Sequence, residues 1–171
     1  CLRLPTGGGK TILAAHSISK ICKEYLSREH CLVLWLVPTN TILEQTYDAL
    51  QDKRHFYRQA IDLDFNGKVE VMKVADALGL SKSNLDGNLN IIVSTLASWR
   101  ITSTEGRKVY EDNGALLHHF ENIDSNIRAD LEFIDEKNTK LKHSLANVVY
   151  LNNPIIIIDE AHNAKTPLTY D

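Results

Sequence analysis

The 171-residue chain has little cysteine, no excess of positive charge and no long apolar run. Its three cysteines, Cys1, Cys22 and Cys31, make an odd count and show no metal-binding spacing. That argues against a disulfide framework and against a cysteine-built metal site, and free thiols in a reducing cytoplasm are expected. The formal net charge is −3. The chain is therefore no general polyanion binder. Any contact with DNA or RNA must be local and rest on hydroxyls and backbone amides as much as on Lys and Arg. The apolar stretches are too short to span a bilayer, and none reads as a signal peptide. The expected setting is cytoplasmic, without membrane contact.

What is present is ordinary in bulk and specific in two places. At 43% hydrophobic and 24% charged residues the composition is that of a globular domain. The length suits one domain with a real core. The first specific place is Pro5-Thr6-Gly7-Gly8-Gly9-Lys10-Thr11, after the short apolar run Cys1 to Leu4. Successive glycines let the backbone turn tightly and bring its N–H groups toward an anion. A helix starting near Lys10 adds its N-terminal dipole. Thr6, Gly7, Gly8, Gly9, Lys10 and Thr11 are thus candidate ATP-phosphate ligands. Lys10 can reach the β- and γ-phosphates, and the Thr11 hydroxyl can ligate Mg²⁺. The strict phosphate-loop pattern would begin with glycine where this chain has Leu4.

The second place is Asp159-Glu160-Ala161-His162, after four consecutive isoleucines. Such a run cannot alternate inside and outside, so it reads as a parallel strand buried on both faces. Asp159 and Glu160 then emerge at the strand's carboxyl end, where α/β sheets place ligands. Asp159 can hold Mg²⁺ through its water shell. Glu160 can orient and deprotonate an attacking water. His162 could carry a signal between nucleotide and polymer. Catalytic candidates are Lys10, Asp159 and Glu160; metal candidates are Thr11 and Asp159.

Between these ends, strand and helix patterns alternate. Ile18, Ile21, Cys22 and Tyr25 mark a helix face. Cys31 to Val37 is a buried strand closed by Pro38, and a helix follows through about Ala60. Val69 to Val74 and Asn90 to Val93 read as strands, with turns at Asn66-Gly67 and Asp86-Gly87-Asn88. Alternation of this kind implies right-handed crossovers and a parallel sheet. In the stretch 101–149, Leu116, Phe120, Ile123, Ile127, Leu131 and Ile134 step by three or four residues. That predicts one helix, or two broken near Asp124-Ser125, packed on the sheet. Leu141, Leu145 and Val148 extend the pattern.

Thr6 to Thr11 together with Asp-Glu-Ala-His resembles the superfamily 2 helicases and translocases of the DEAD/DEAH-box kind. Trp35-Leu36-Val37-Pro38-Thr39-Asn40, then Ile42-Leu43-Glu44-Gln45-Thr46, resembles their motif Ia. Ile92-Val93-Ser94-Thr95-Leu96 resembles their Ser-Thr segment at the nucleic-acid groove. The wording is most similar to the restriction (Res) subunits of the type III class, where Leu or Met commonly stands at the place of Leu4. The resemblance implies a P-loop, RecA-like α/β fold; it does not cover 101–149, whose apolar pattern is expected to form a helical insertion before the last strand. It implies ATP as substrate, Mg²⁺ as cofactor, and Pro38, Thr39, Asn40, Ser94 and Thr95 at the nucleic acid. DNA is the expected polymer over RNA, and a methyltransferase subunit is a candidate partner. The chain is expected to be the first RecA-like lobe, incomplete at both ends, nearly inactive by itself. A second lobe of the same protein would supply an arginine finger.

Two other functions compete. A nucleotide-gated binding module would use the same phosphate loop without motor work, and an RNA helicase would use the same motifs on RNA. Several features read as structure rather than chemistry. Asp135-Glu136-Lys137 lacks the partner acid of a nuclease site. His118-His119 would point about 100° apart on a helix and face solvent. Trp35 reads as core, whereas Trp99 beside Arg100 has some claim on a base.

Overall fold

The computed structural model describes residues 9–100, 106–135 and 137–160. Its centre is a four-stranded, all-parallel sheet: β1 (Leu32–Val37), β2 (Val69–Lys73), β3 (Leu89–Thr95) and β4 (Ile155–Ile158), in the order β2-β3-β1-β4. β1 is buried at all six positions. That explains its unbroken Leu-Val-Leu-Trp-Leu-Val: a central parallel strand is covered on both faces. The fold is the expected α/β sheet flanked by helices.

Helices cover both faces. Against one lie α1 (Lys10–Lys20), α2 (Asn40–Gln51) and α3 (Phe56–Phe65). Ala15, Ile18, Leu50, Ile61 and Phe65 pack there on Val33, Trp35, Ile91 and Val93. On the other, Leu32, Leu34, Leu36 and Ile92 meet Ala77 of α4 (Val74–Ala77), Leu85 of α5 (Lys82–Gly87), and Leu145 and Val148 of α7 (Leu145–Leu151). The connection β1→β2 runs one way across the sheet over the first face. β2→β3 and β3→β4 run the other way over the second. Reversing direction and face together keeps one crossover hand, as parallel sheets demand.

Several details depart from the sequence reading. The predicted helix through Ala60 is two helices. Asp52 leaves helical conformation (ψ 107°) and its carboxylate accepts from the Arg54 amide. His55 then caps α3 through Nδ1. Asn66 and Gly67, both at positive φ, end α3 as predicted. In the first helix, Ile18 and Cys22 are buried, but Ile21 and Tyr25 are not. The last turn, Ile21–Tyr25, widens to a π-turn closed by Leu26 N–H donating to Ile21 O. That wider turn rotates Tyr25 off the apolar face. β4 is not buried on both faces either: Ile155 is 6% exposed, but Ile156 and Ile158 are 57% and 43%. Among the described residues it is hydrogen-bonded to a strand on one side only, β1.

The stretch after β3 differs most. It is not one helix or two. It runs through short 3₁₀ turns, Lys108–Tyr110 and Gly114–Phe120, then α6 (Ser125–Ala129) and an isolated bridge between Phe133 and Leu141 before α7. It does pack on the sheet, through Val109, Leu116, Leu145 and Val148. Ile127 and Ile134 of the predicted apolar stripe are exposed. Side chains hold the backbone here instead of helical bonds. Buried Asn147 donates to the Glu132 and Lys142 carbonyls and accepts from the Glu132 amide. Asp135 is a loop cap that accepts from Thr139 and Lys140, which agrees with a structural role. His118 and His119 do not simply face solvent. His119 is 9% exposed with Nε2 on the Leu80 carbonyl, and His118 Nε2 accepts from the Lys82 amide. Trp35 is core as read, and Trp99 packs against the second apolar cluster.

Candidate nucleotide site

The carboxyl ends of β1, β3 and β4 lie side by side, because β1 pairs with both β3 and β4 in register. Each strand's following residues therefore meet at one edge of the sheet. Val37 leads to Pro38 and Thr39, Thr95 to Leu96, and Ile158 to Asp159 and Glu160.

The two specific ends of the sequence come together there. Gly9 precedes α1 with φ 77° and ψ 26°, a left-handed conformation that glycine adopts without strain. A Cβ at Gly9 would also stand 3.3 Å from Ile12 Cγ2. This turn starts α1 at Lys10, as the sequence predicts, and leaves the first amides of the helix without a side-chain cap. Lys10 Nζ reaches Glu160 Oε1 at 3.2 Å, across 150 positions of chain. Both side chains are about a third exposed (32% and 27%), so solvent screens the pair and it is exchangeable.

Glu160 is aimed by its backbone. Asp159 N–H donates to Leu36 O at 2.8 Å, extending the β1–β4 ladder one step. The chain then turns sharply, with Glu160 at φ 50°. A non-glycine residue in that region is uncommon and is held by its surroundings. Here the Asp159 carboxylate accepts from the Glu160 amide at 2.9 Å. Thr11, in the first turn of α1, is half-buried. The Thr11 hydroxyl and the Asp159 carboxylate are both oxygen donors. Few protein oxygens, with the rest of the shell left to water and phosphate, is the donor set Mg²⁺ prefers.

Beside these lies a pocket of about 380 Å³ lined by Val37, Pro38, Thr39, Ile42, Leu96, Ala97, Arg100, Ile158, Asp159 and Glu160. It brings Pro38 and Thr39 next to the acidic pair. Thr39 is also the N-cap of α2, accepting from the Ile42 amide at 3.3 Å. Asn40 is exposed at the first position of that helix. Thr95 is half-buried with its hydroxyl on Ser98 at 2.9 Å. Ser94, of the same expected polymer-facing set, is 1% exposed, and its hydroxyl donates to the Thr95 carbonyl. Thr6, Gly7, Gly8 and His162, like the strand expected at Cys1 to Leu4, lie outside the described residues.

Sequence reasoning named Ile42 and Leu96 only as parts of the resembling motifs, did not name Ala97, and weighed Arg100 only beside Trp99. The available signal was position: Leu96 to Arg100 follow directly on a strand that ends at this edge. Cys22 and Cys31 are free and buried, and burial pushes both thiols up, so neither is a reactive nucleophile. No helix among the described residues is long and apolar enough to cross a membrane.

Comparison with known proteins agrees with the geometry. No curated protein and no solved structure matches the chain. One family model does, over its whole length, residues 1–171. Its description is type III restriction enzyme, res subunit, and the family is a P-loop, RecA-like domain of the helicase superfamily, of the ATP-dependent, helicase-like kind. Lys10, at the start of α1, meets Glu160, just after β4, and this chain belongs to the type III restriction enzyme res subunit family.

Proposed function

We propose that this chain binds Mg·ATP over residues Thr6 to Thr11 and uses its hydrolysis to drive movement along DNA, as the motor of a restriction-type system. The Lys10–Glu160 contact carries the reading, because it joins the two ends of the sequence at the sheet edge where ligands bind. When nucleotide binds, Lys10 exchanges the Glu160 carboxylate for the β- and γ-phosphate oxygens. Glu160 is then released to hold the attacking water and accept its proton. Thr11 and Asp159 would hold Mg²⁺, which supplies charge neutralisation to the transferring phosphoryl group. Pro38, Thr39, Asn40 and Thr95 form the polymer edge, with Arg100 as its cation. His162 couples the two. A second lobe closing on this edge supplies the remaining cation of the transition state, and a methyltransferase subunit is a partner suited to such a system.

The test is steady-state ATP turnover of the intact protein carrying Lys10→Ala. Loss of a charge aimed at the reacting phosphoryl group should lower turnover by at least about 100-fold. Near-normal turnover would show that the loop before α1 is only a connection.

A further inference from the structure

The segment from Gly106 to Phe120 is anchored at two places. At one, Asn113 Nδ2 donates to Leu78 O at 2.8 Å, and His119 Nε2 lies 2.7 Å from Leu80 O. Val109 and Leu116 are 1% and 0% exposed in the apolar cluster beneath. At the other, Tyr110 O–H donates to the Trp99 carbonyl at 2.8 Å, and the Arg107 guanidinium donates to the Arg100 carbonyl. These two carbonyls close the turn Leu96–Arg100 that lines the pocket with Leu96, Ala97 and Arg100. Within the turn, the Thr95 and Ser98 hydroxyls meet at 2.9 Å, while its closing bond, Arg100 N–H to Ala97 O, is 3.5 Å long. Its last two carbonyls are held from outside by Tyr110 and Arg107. Tyr110 is 8% exposed, and burial pushes its phenol up, so it remains a neutral donor.

From this geometry we propose that Tyr110 and Arg107 are positioning residues that hold the Leu96–Arg100 turn, and with it Arg100, on the polymer side of the pocket, and so set how strongly nucleic acid couples to ATP turnover. The proposal rests on the reading of that edge as the polymer edge. The irregular segment after β3 then serves as a brace from the connection between α4 and α5 to the site. Neither side chain touches the nucleotide site itself, so basal turnover is not its target.

The experiment uses the intact protein with Tyr110→Phe, Arg107→Gln and Arg100→Gln. Each is titrated with single- and double-stranded DNA of defined length, and the concentration for half-maximal ATPase stimulation is read. Tyr110→Phe keeps the buried ring and deletes only the donor. Both it and Arg107→Gln should raise the half-maximal concentration about three- to tenfold, with unchanged basal turnover and a melting temperature lowered by no more than a few degrees. Arg100→Gln tests the underlying reading. If it weakens stimulation while Tyr110→Phe and Arg107→Gln do not, the polymer edge stands and the positioning role is wrong. If Arg100→Gln has no effect, the polymer-edge reading fails and the proposal fails with it. Loss of basal turnover in step with melting temperature in both brace variants would make their role structural and overturn the proposal.

Discussion

The two sides of the sheet are built in different ways. On one, α1, α2 and α3 present apolar residues at helical spacing, and that spacing becomes burial at Ile18, Leu50 and Ile61. On the other, between β3 and α7, the same spacing becomes no long helix. Asn113, Asp124, Asp135 and Asn147 each bind nearby backbone groups. Such side chains offer the backbone an alternative to helical bonds, and where they are dense the alternative wins. An apolar period shows where a chain could be helical. It does not outweigh a run of residues that satisfy the backbone one group at a time.

Core truncation gives the largest expected effect. Ile18→Ala, at 0% exposure, should destabilise by about 2–5 kcal/mol in denaturant unfolding. A loss under about 1 kcal/mol would mean that α1 is not a core helix. Asn147→Ala should come next, with about 2–4 kcal/mol lost, because it strands two carbonyls and an amide in a buried place. Hydrogen exchange should accelerate first around Glu132 and Lys142, well away from α1. If it accelerates uniformly, the side-chain-tied region has no separate integrity.

A smaller effect follows from His119. Its burial holds it below the usual histidine range, with His118 and Lys82 adding in the same direction and Asp86 and the Leu80 carbonyl opposing. The neutral ring is the folded form, so its contribution is complete above the unfolded value of about 6.5 and is lost as pH falls through the lower folded value. Unfolding midpoints at falling pH should therefore drop more for the native protein than for His119→Gln, which keeps a donor to Leu80 and cannot titrate. Parallel pH curves would contradict this. The smallest effect is Ile127→Ala. Although it belongs to the same apolar stripe in sequence as buried Leu116, Ile127 is 46% exposed, and the change should cost no more than about 0.5 kcal/mol.

The same contrast sets what was legible in the sequence. The strands at β1, β3 and β4 were readable as apolar runs, and the start of α1 was readable from Gly9-Lys10. That the two ends share one site was expected from the chemistry each implies; the contact between Lys10 and Glu160 was not. The break at Asp52 to His55 was missed because it depends on two local side-chain caps inside a continuing apolar pattern. Arg58 gave no signal at all. It is 4% exposed and staples the Leu50 and Val69 carbonyls while pairing with Asp62, and those partners exist only once α2, α3 and β2 have met. Ser94 and Thr95 looked alike in sequence. Position along β3 separates them: both faces of the strand are buried as far as Ser94, and Thr95 is its half-buried last residue.

The central claim, that Glu160 holds the hydrolytic water once Lys10 has turned to the phosphates, is tested most directly by Glu160→Gln in the intact protein. ATP affinity and the rate of a single turnover are measured side by side. The amide keeps the shape but cannot accept a proton. The account predicts near-native ATP affinity, hydrolysis slowed by about 100-fold or more, and a longer-lived complex with nucleic acid. Equal losses of affinity and of rate would contradict it and leave Glu160 a structural partner of Lys10.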